Sequence, residues 1–174
     1  MTLEHHILLA GLRGSGKSTL GRLLAERLGA AHVDLDDRTA RLLGTESCAQ
    51  ALTELGGPAF RAAEVRALEQ VLGDSACVVS LGGGSPTAPG AAELIASSPA
   101  QFIYLRLAPR TLADRLAQSD LRDRPSLTGQ GVVEEISTLY DARDPLYLTL
   151  GRTLDIDHEP IEQTLDRLID LVIA

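Results

Sequence analysis

A chain of 174 residues, 44% hydrophobic and 23% charged, has enough apolar material for one self-sufficient core and needs no disulfide or metal staple. A net charge of −8 with no Lys/Arg-rich run argues against a nucleic-acid partner, and an aromatic share of 3% without Trp argues against base-stacking platforms. No apolar run approaches ~18 residues and the first residues lack the basic, then apolar, pattern of a secretory leader, so the expectation is a soluble, cytoplasmic, monomeric protein with no membrane partner.

Ile7 to Ala10 is an apolar run ending at Gly11, the pattern of a strand buried on both faces. From Ser18 the period becomes helical, with Leu20, Leu23, Leu24 and Leu28 on one side and Gly29 as the stop. Ala31 to Val33 predicts a second strand ending at Asp34. Helical segments follow at Asp37 to Leu43, Ser47 to Leu55 and Pro58 to Leu72, with Pro58 suited to a first turn. Ala76 to Leu81 predicts a third strand, closed by Gly82-Gly83-Gly84, and Phe102 to Leu105 a fourth. Pro109 to Leu116 begins another helix, and the polar stretch from Gln118 to Gly131 reads as a loop. Val132 to Tyr147 predicts a helix disturbed by Pro145, Thr153 to Ile156 a last strand, and Pro160 to Ile173 a closing amphipathic helix. Strands alternating with helices predict one α/β domain over residues 1–174 with a parallel sheet and right-handed crossovers. Cys48 and Cys77 lack metal-ligand spacing and are expected to be small buried apolar groups, and the four histidines form no ligand cluster.

Gly11-Leu12-Arg13-Gly14-Ser15-Gly16-Lys17-Ser18-Thr19 fits G-x-x-x-x-G-K-[ST] between a predicted strand and a predicted helix. The glycines let the backbone wrap closely around phosphate oxygens, and the helix start adds its positive dipole end. The motif points to nucleotide phosphates bound by Gly14, Ser15, Gly16, Lys17, Ser18 and Thr19. Lys17 would face the β- and γ-phosphates, and the Ser18 hydroxyl would face Mg²⁺.

Asp34-Leu35-Asp36-Asp37 falls at the end of the second strand, where open α/β sheets collect functional residues. In strand-like backbone Asp34 and Asp36 would share one face. One could then hold Mg²⁺ through water while the other accepts a hydroxyl proton. The competing reading is a helix N-cap, which we assign mainly to Asp37.

At this point the sequence resembles the shikimate kinase family. Phe60-Arg61-Ala62-Ala63-Glu64 is similar to its Phe-Arg-x-x-Glu, Gly82-Gly83-Gly84 to its glycine turn, Arg124-Pro125 to its lid, and Arg143-Asp144-Pro145-Leu146-Tyr147 to its Arg-x-x-Leu-Tyr segment. The resemblance implies a three-layer α/β/α P-loop kinase fold with a five-stranded parallel sheet, a mobile lid at about 118–130 and a small helical substrate-binding region at about 34–64. It implies phosphorylation of shikimate by ATP with Mg²⁺. By the same resemblance Arg61, oriented by Glu64, and Arg143 would bind the substrate carboxylate, and the Gly82–Gly84 backbone would approach the ring. Asp36 would bind and deprotonate the hydroxyl, Asp34 and Ser18 would serve the metal, and Lys17 and Arg124 would stabilise the moving phosphoryl group. Gly57 and Ser126 depart from the usual pattern. Arg115 and the Asp157-His158-Glu159-Pro160 loop resemble the base-sandwiching elements in position only. Arg106, Arg110, Arg122 and Arg152 are expected to be surface charges. A gluconate-type kinase or a non-catalytic nucleotide-binding homologue are the alternatives. The first would not need Arg61 and Arg143 together, and the second would be expected to have lost Lys17, Asp36 or an arginine.

Overall fold

A computed structural model describes residues 3–118, 131 and 133–174. Arg124 and nearly all of the expected lid lie outside the described residues. Along the chain run β1 (Ile7–Ala10), α1 (Lys17–Leu28), β2 (His32–Asp34), α2 (Leu35–Leu43), α3 (Cys48–Leu55), α4 (Gly57–Gly73) and β3 (Val78–Ser80). A 3₁₀ turn at Ser85–Thr87 follows. The chain continues with α5 (Ala91–Ser97), β4 (Gln101–Arg106), α6 (Pro109–Ala117), α7 (Ile136–Leu150), β5 (Arg152–Asp155) and α8 (Ile161–Ile173).

The sheet has the order β2-β3-β1-β4-β5 and every pairing is parallel, with Leu8 opposite both Val79 and Phe102. Each residue of β1 and β3 is buried, as expected for strands covered on both faces. The core joins Leu8, Leu9, Leu24, Leu68, Ile103 and Leu168 in one cluster, and each such side chain contributes about 1.5–3 kcal/mol by burial. Tyr104 and Tyr147 supply its aromatic centre, edge to face at 5.3 Å.

Four local expectations change. Residues 91–97 form α5, which the sequence reading left without an element; Gly90, in left-handed backbone, opens it and Ala91 and Ile95 bury its inner face. The helix expected from Val132 starts at Ile136 and runs through Pro145 to Leu150. A proline removes one N–H bond, and the burial of Arg143, Asp144 and Tyr147 beside it holds this helix together. The helix expected from Asp37 begins at Leu35, so its cap is Asp34 and not Asp37: the Asp34 carboxylate accepts from Asp36 N–H at 3.1 Å. Asp36 therefore stands in a first helical turn and not in strand backbone, and the alternation argument for pairing it with Asp34 does not apply. The two still face one cleft, because cap and first turn sit together at the end of β2.

Candidate active site

The carboxyl ends of β1, β2 and β3 open into a cleft of about 430 Å³. Its floor is the glycine-rich loop. Gly16 takes φ 91°, a conformation that an L side chain rarely adopts, and serves as the α1 cap without any side-chain hydrogen bond. With no capping side chain, the positive dipole end of α1 is presented to the cleft, a setting that favours an anion. Lys17 Nζ lies across the loop, donating to Gly11 O at 2.7 Å and Leu12 O at 3.0 Å. Lys17, Ser18 and Thr19 line the cleft with Gly14 and Gly16, while Ser15 is buried in the loop.

Beside the loop, Ser18 Oγ donates to Asp34 Oδ2 at 2.7 Å. The pair offers a divalent cation two hard oxygen donors at the phosphate end of the cleft, the donor chemistry that Mg²⁺ accepts. Asp36 opens into the cleft, yet protein crowds its carboxyl. That desolvation, followed by the charges of Asp34 and Glu64, pushes its pKa up to about 6.

The far wall is an arginine cradle. Arg61 on α4 pairs with Glu64 one turn on, and the other Glu64 oxygen accepts from Ser85 Oγ at 2.7 Å. Glu64 is only 2% exposed, so this is a buried brace and not a solvated helix pair. Arg143 on α7 donates to Gly83 O at 2.8 Å, and Tyr147 OH donates to the same oxygen at 2.9 Å. Burial, reinforced by the like charge of Arg61, holds the pKa of Arg143 below its usual value.

Two of the three glycines, Gly82 and Gly84, make this convergence possible by omitting side chains. A Cβ at Gly84 would lie 3.0 Å from Arg61 Nη2 and 3.1 Å from Arg143 Nη2. One at Gly82 would lie 2.5 Å from Asp36 Oδ1 and 2.6 Å from Ser85 Oγ. Two guanidiniums meeting over bare backbone suit a planar anion held by forked hydrogen bonds. The arrangement therefore places the glycine-rich loop, a carboxylate of raised pKa and two converging guanidiniums around one space.

The sequence model of the shikimate kinase family matches residues 13–172. The chain belongs to the shikimate kinase family. A shikimate kinase of Chlorobium chlorochromatii is 40% identical over 170 residues, covering 93% of this chain and 87% of the relative. That of Chlorobium limicola is 35% identical over 181 residues, covering 98% and 89%. Among solved structures, the shikimate kinase of Acinetobacter baumannii in complex with shikimate superposes with a TM-score of 0.87 at 26% identity, covering 97% of this chain and 93% of that one.

The sequence-predicted residues Gly14, Gly16, Lys17, Ser18, Thr19, Asp34, Asp36, Arg61, Gly82, Gly83, Gly84 and Arg143 all line this one cleft of the shikimate kinase fold. Arg115 also reaches it, with its guanidinium 3.5 Å from Gly14 O. Asp157 instead accepts from Ala108 N–H at 3.0 Å, next to the start of α6.

Two residues depart from their sequence reading. Cys48 is half-buried and lines the cleft, donating from Sγ to Asp36 O at 3.0 Å; burial pushes its pKa up to about 12, which keeps it a neutral donor. Arg106 is no surface charge. Its Nε and Nη2 grip Asp144 at 2.8 and 3.0 Å, and Tyr104 OH donates to the same carboxylate at 2.9 Å. Burial works to raise the pKa of Asp144, but these hydrogen bonds outweigh it and hold it below the ordinary value. The clamp ties α7 to β4 one residue from Arg143, so it fixes the angle at which Arg143 enters the cradle. No spacing rule links residue 106 to residue 144, which is why sequence reading missed it. Ser85 carried a faint signal, as the first polar residue after the glycines.

Proposed function

We propose that the chain transfers the γ-phosphoryl group of ATP to a hydroxyl of shikimate, giving shikimate 3-phosphate and ADP, a step of chorismate biosynthesis. The observation that carries this reading is the convergence of Arg61 and Arg143 over Gly84, beside Asp36 and the phosphate loop. An acceptor that bears both a carboxylate and a hydroxyl satisfies both ends of the cleft.

In this scheme Arg61 and Arg143 take the carboxylate as a bidentate pair, fixing the ring so that one hydroxyl faces Asp36. Asp36 accepts the hydroxyl proton as the oxygen attacks phosphorus; a pKa of about 6 leaves it ionised at neutral pH yet basic enough to take that proton. The 11–19 loop amides and Lys17 hold the phosphate oxygens as charge spreads over them. Ser18 and Asp34 are the residues fitted to hold Mg²⁺, Asp34 through water, and the ion would supply neutralising charge to the ATP phosphates. Arg124 is assigned by resemblance to the same phosphoryl group, and the 118–130 segment to a lid that keeps water from the reaction. The enzyme is read as a cytoplasmic monomer.

The test is ADP release measured over a panel of acceptors. Shikimate should be turned over at least tenfold faster, by kcat/KM, than gluconate, quinate or a nucleoside monophosphate, a margin of about 1.4 kcal/mol. Equal or faster turnover of gluconate overturns the reading.

A further inference from the structure

A hydrogen-bond chain runs beneath the phosphate loop. Ser80, 1% exposed on β3, donates from Oγ to Lys17 O at 3.0 Å. Its one hydroxyl proton is thereby committed, so His32 Nε2, 2.9 Å from Ser80 Oγ, is the donor in the second link. His32 and Asp34 lie at the two ends of β2 on the same face of the strand, and Ser80 stands opposite Asp34 in the parallel register. Helix α1 is pressed onto this chain at Gly21, one turn beyond Lys17. A Cβ there would lie 2.6 Å from Ser80 Oγ and 2.8 Å from His32 Nε2. Gly21 lies within the helix and outside the left-handed φ range, so its glycine serves close approach and not backbone conformation.

We propose that His32 and Ser80 are positioning residues for nucleotide binding: together they fix the first turn of α1, and with it the Lys17 and Ser18 side chains, against the ends of β2 and β3. The proposal rests on the reading of that loop as the ATP-phosphate site.

The physical case starts from what the first turn of α1 carries. Lys17 and Ser18 are consecutive in it, and Ser18 Oγ donates to Asp34 Oδ2 at 2.7 Å. The turn is therefore tied to the sheet twice. The Ser18–Asp34 link joins two side chains assigned to the metal, whereas the Ser80 link holds main chain and occupies no group that a ligand needs. A buried hydroxyl that gives its proton to one acceptor still has lone pairs to satisfy. The histidine N–H supplies that partner and holds the rotamer that aims the proton at Lys17 O. Neither residue touches a reacting atom, so the effect is one of alignment, where a shift of about 1 Å in a distant support is felt at the chemistry. The two residues are 48 apart in sequence, and it is the pairing of β2 with β3 that brings them together.

The experiment combines calorimetric titration with MgADP and steady-state kinetics in which ATP and shikimate are varied separately. The variants are His32→Leu, His32→Gln, Ser80→Ala and the Ser80→Ala/His32→Leu double variant, with a thermal melt of each. His32→Leu should raise the Kd for MgADP and the KM for ATP by about three- to tenfold, the loss expected for one hydrogen bond, and leave the KM for shikimate within about twofold. His32→Gln, whose amide can place an N–H where Nε2 stands, should return both nucleotide constants to within about twofold of the parent. Ser80→Ala should raise the same constants at least as far as His32→Leu, and the double variant should be no worse than Ser80→Ala, because His32 acts through Ser80. If Ser80→Ala does not fold, the contrast between His32→Leu and His32→Gln decides alone. Unchanged nucleotide constants in His32→Leu, an equal rise in the KM for shikimate, or a His32→Gln as impaired as His32→Leu overturns the assignment of His32. Additive effects in the double variant overturn its action through Ser80. A parent that binds MgADP but does not phosphorylate shikimate overturns the acceptor reading alone, and the titration still decides this proposal; a parent that binds no MgADP overturns both.

Discussion

Replacing Gly82 by alanine perturbs the site by one methyl group at a position where the outcome can be worked out. None of the three glycines at 82–84 lies in the left-handed φ range, so alanine meets no backbone objection there and any effect is steric. The new Cβ would stand 2.5 Å from Asp36 Oδ1, 2.6 Å from Ser85 Oγ and 2.9 Å from Glu64 Oε1. A comfortable C···O approach is about 3.3 Å, so the Asp36 carboxylate has to retreat by about 0.8 Å. Displacement of a reacting group by ~1 Å costs about 10²-fold in rate, and overpacking of this kind costs about 1–3 kcal/mol in stability. Gly83→Ala is the internal control, since the nearest atoms to its Cβ would be Arg13 N at 3.4 Å and Arg13 Cγ and Gly11 O at 3.7 Å, all ordinary contacts. It should keep turnover within about threefold and gain up to ~0.4–1 kcal/mol from a stiffer unfolded chain. The assay is coupled ADP release at saturating ATP, with a thermal melt of both variants. A Gly82→Ala enzyme with near-normal kcat, or two variants impaired alike, refutes the claim that the absent side chain at 82 makes room for Asp36.

Asp36→Asn should nearly abolish turnover and remove the acidic limb of the parent's kcat/KM profile, which should fall below about pH 6 as Asp36 protonates. Because the folded-state pKa of Asp36 is raised, its charge opposes folding above that pH. The asparagine variant should therefore melt higher than the parent at pH 8, and the gain should shrink as pH falls through 6 towards 4; an equal gain at both ends would contradict the assignment. Arg61→Lys and Arg143→Lys should each weaken shikimate by about tenfold while sparing ATP, and a rise in the ATP KM alone would place them in the wrong site. Asp34→Asn should raise the Mg²⁺ concentration needed for half-maximal rate without unfolding the protein, since asparagine caps α2 nearly as well. An unchanged Mg²⁺ titration would leave Asp34 as a cap only.

Much of this was legible in the residues because local rules carry it. The 11–19 loop, the buried strands and the glycine stop at 29 follow from spacing and from single-residue chemistry, whereas the arginine and glycine-turn motifs were legible only through the resemblance to the shikimate kinase family. What escaped reading depends on distant partners. The Arg106–Asp144 clamp joins residues 38 apart, and only the packing of α7 against β4 brings them together. The continuation of α7 past Pro145 is a tertiary override of a local signal, resting on the burial of Tyr147 and Asp144. The exchange of cap between Asp37 and Asp34 shows the limit of periodicity at a strand–helix junction. A shift of two residues in the helix start changed which carboxylate holds the helix, and left Asp36 in the cleft for a different geometric reason from the one inferred.

The central claim is that one cleft carries ATP's γ-phosphoryl to a ring hydroxyl of a carboxylated acceptor, and product structure tests it most directly. The measurement is ³¹P and ¹H NMR of a reaction containing the enzyme, ATP, Mg²⁺ and shikimate. The account predicts a new phosphomonoester signal coupled to the proton on the ring carbon that bears the 3-hydroxyl, growing as the ATP γ-signal falls. Inorganic phosphate accumulating beside unchanged shikimate, or phosphate attached at another ring position, would contradict it.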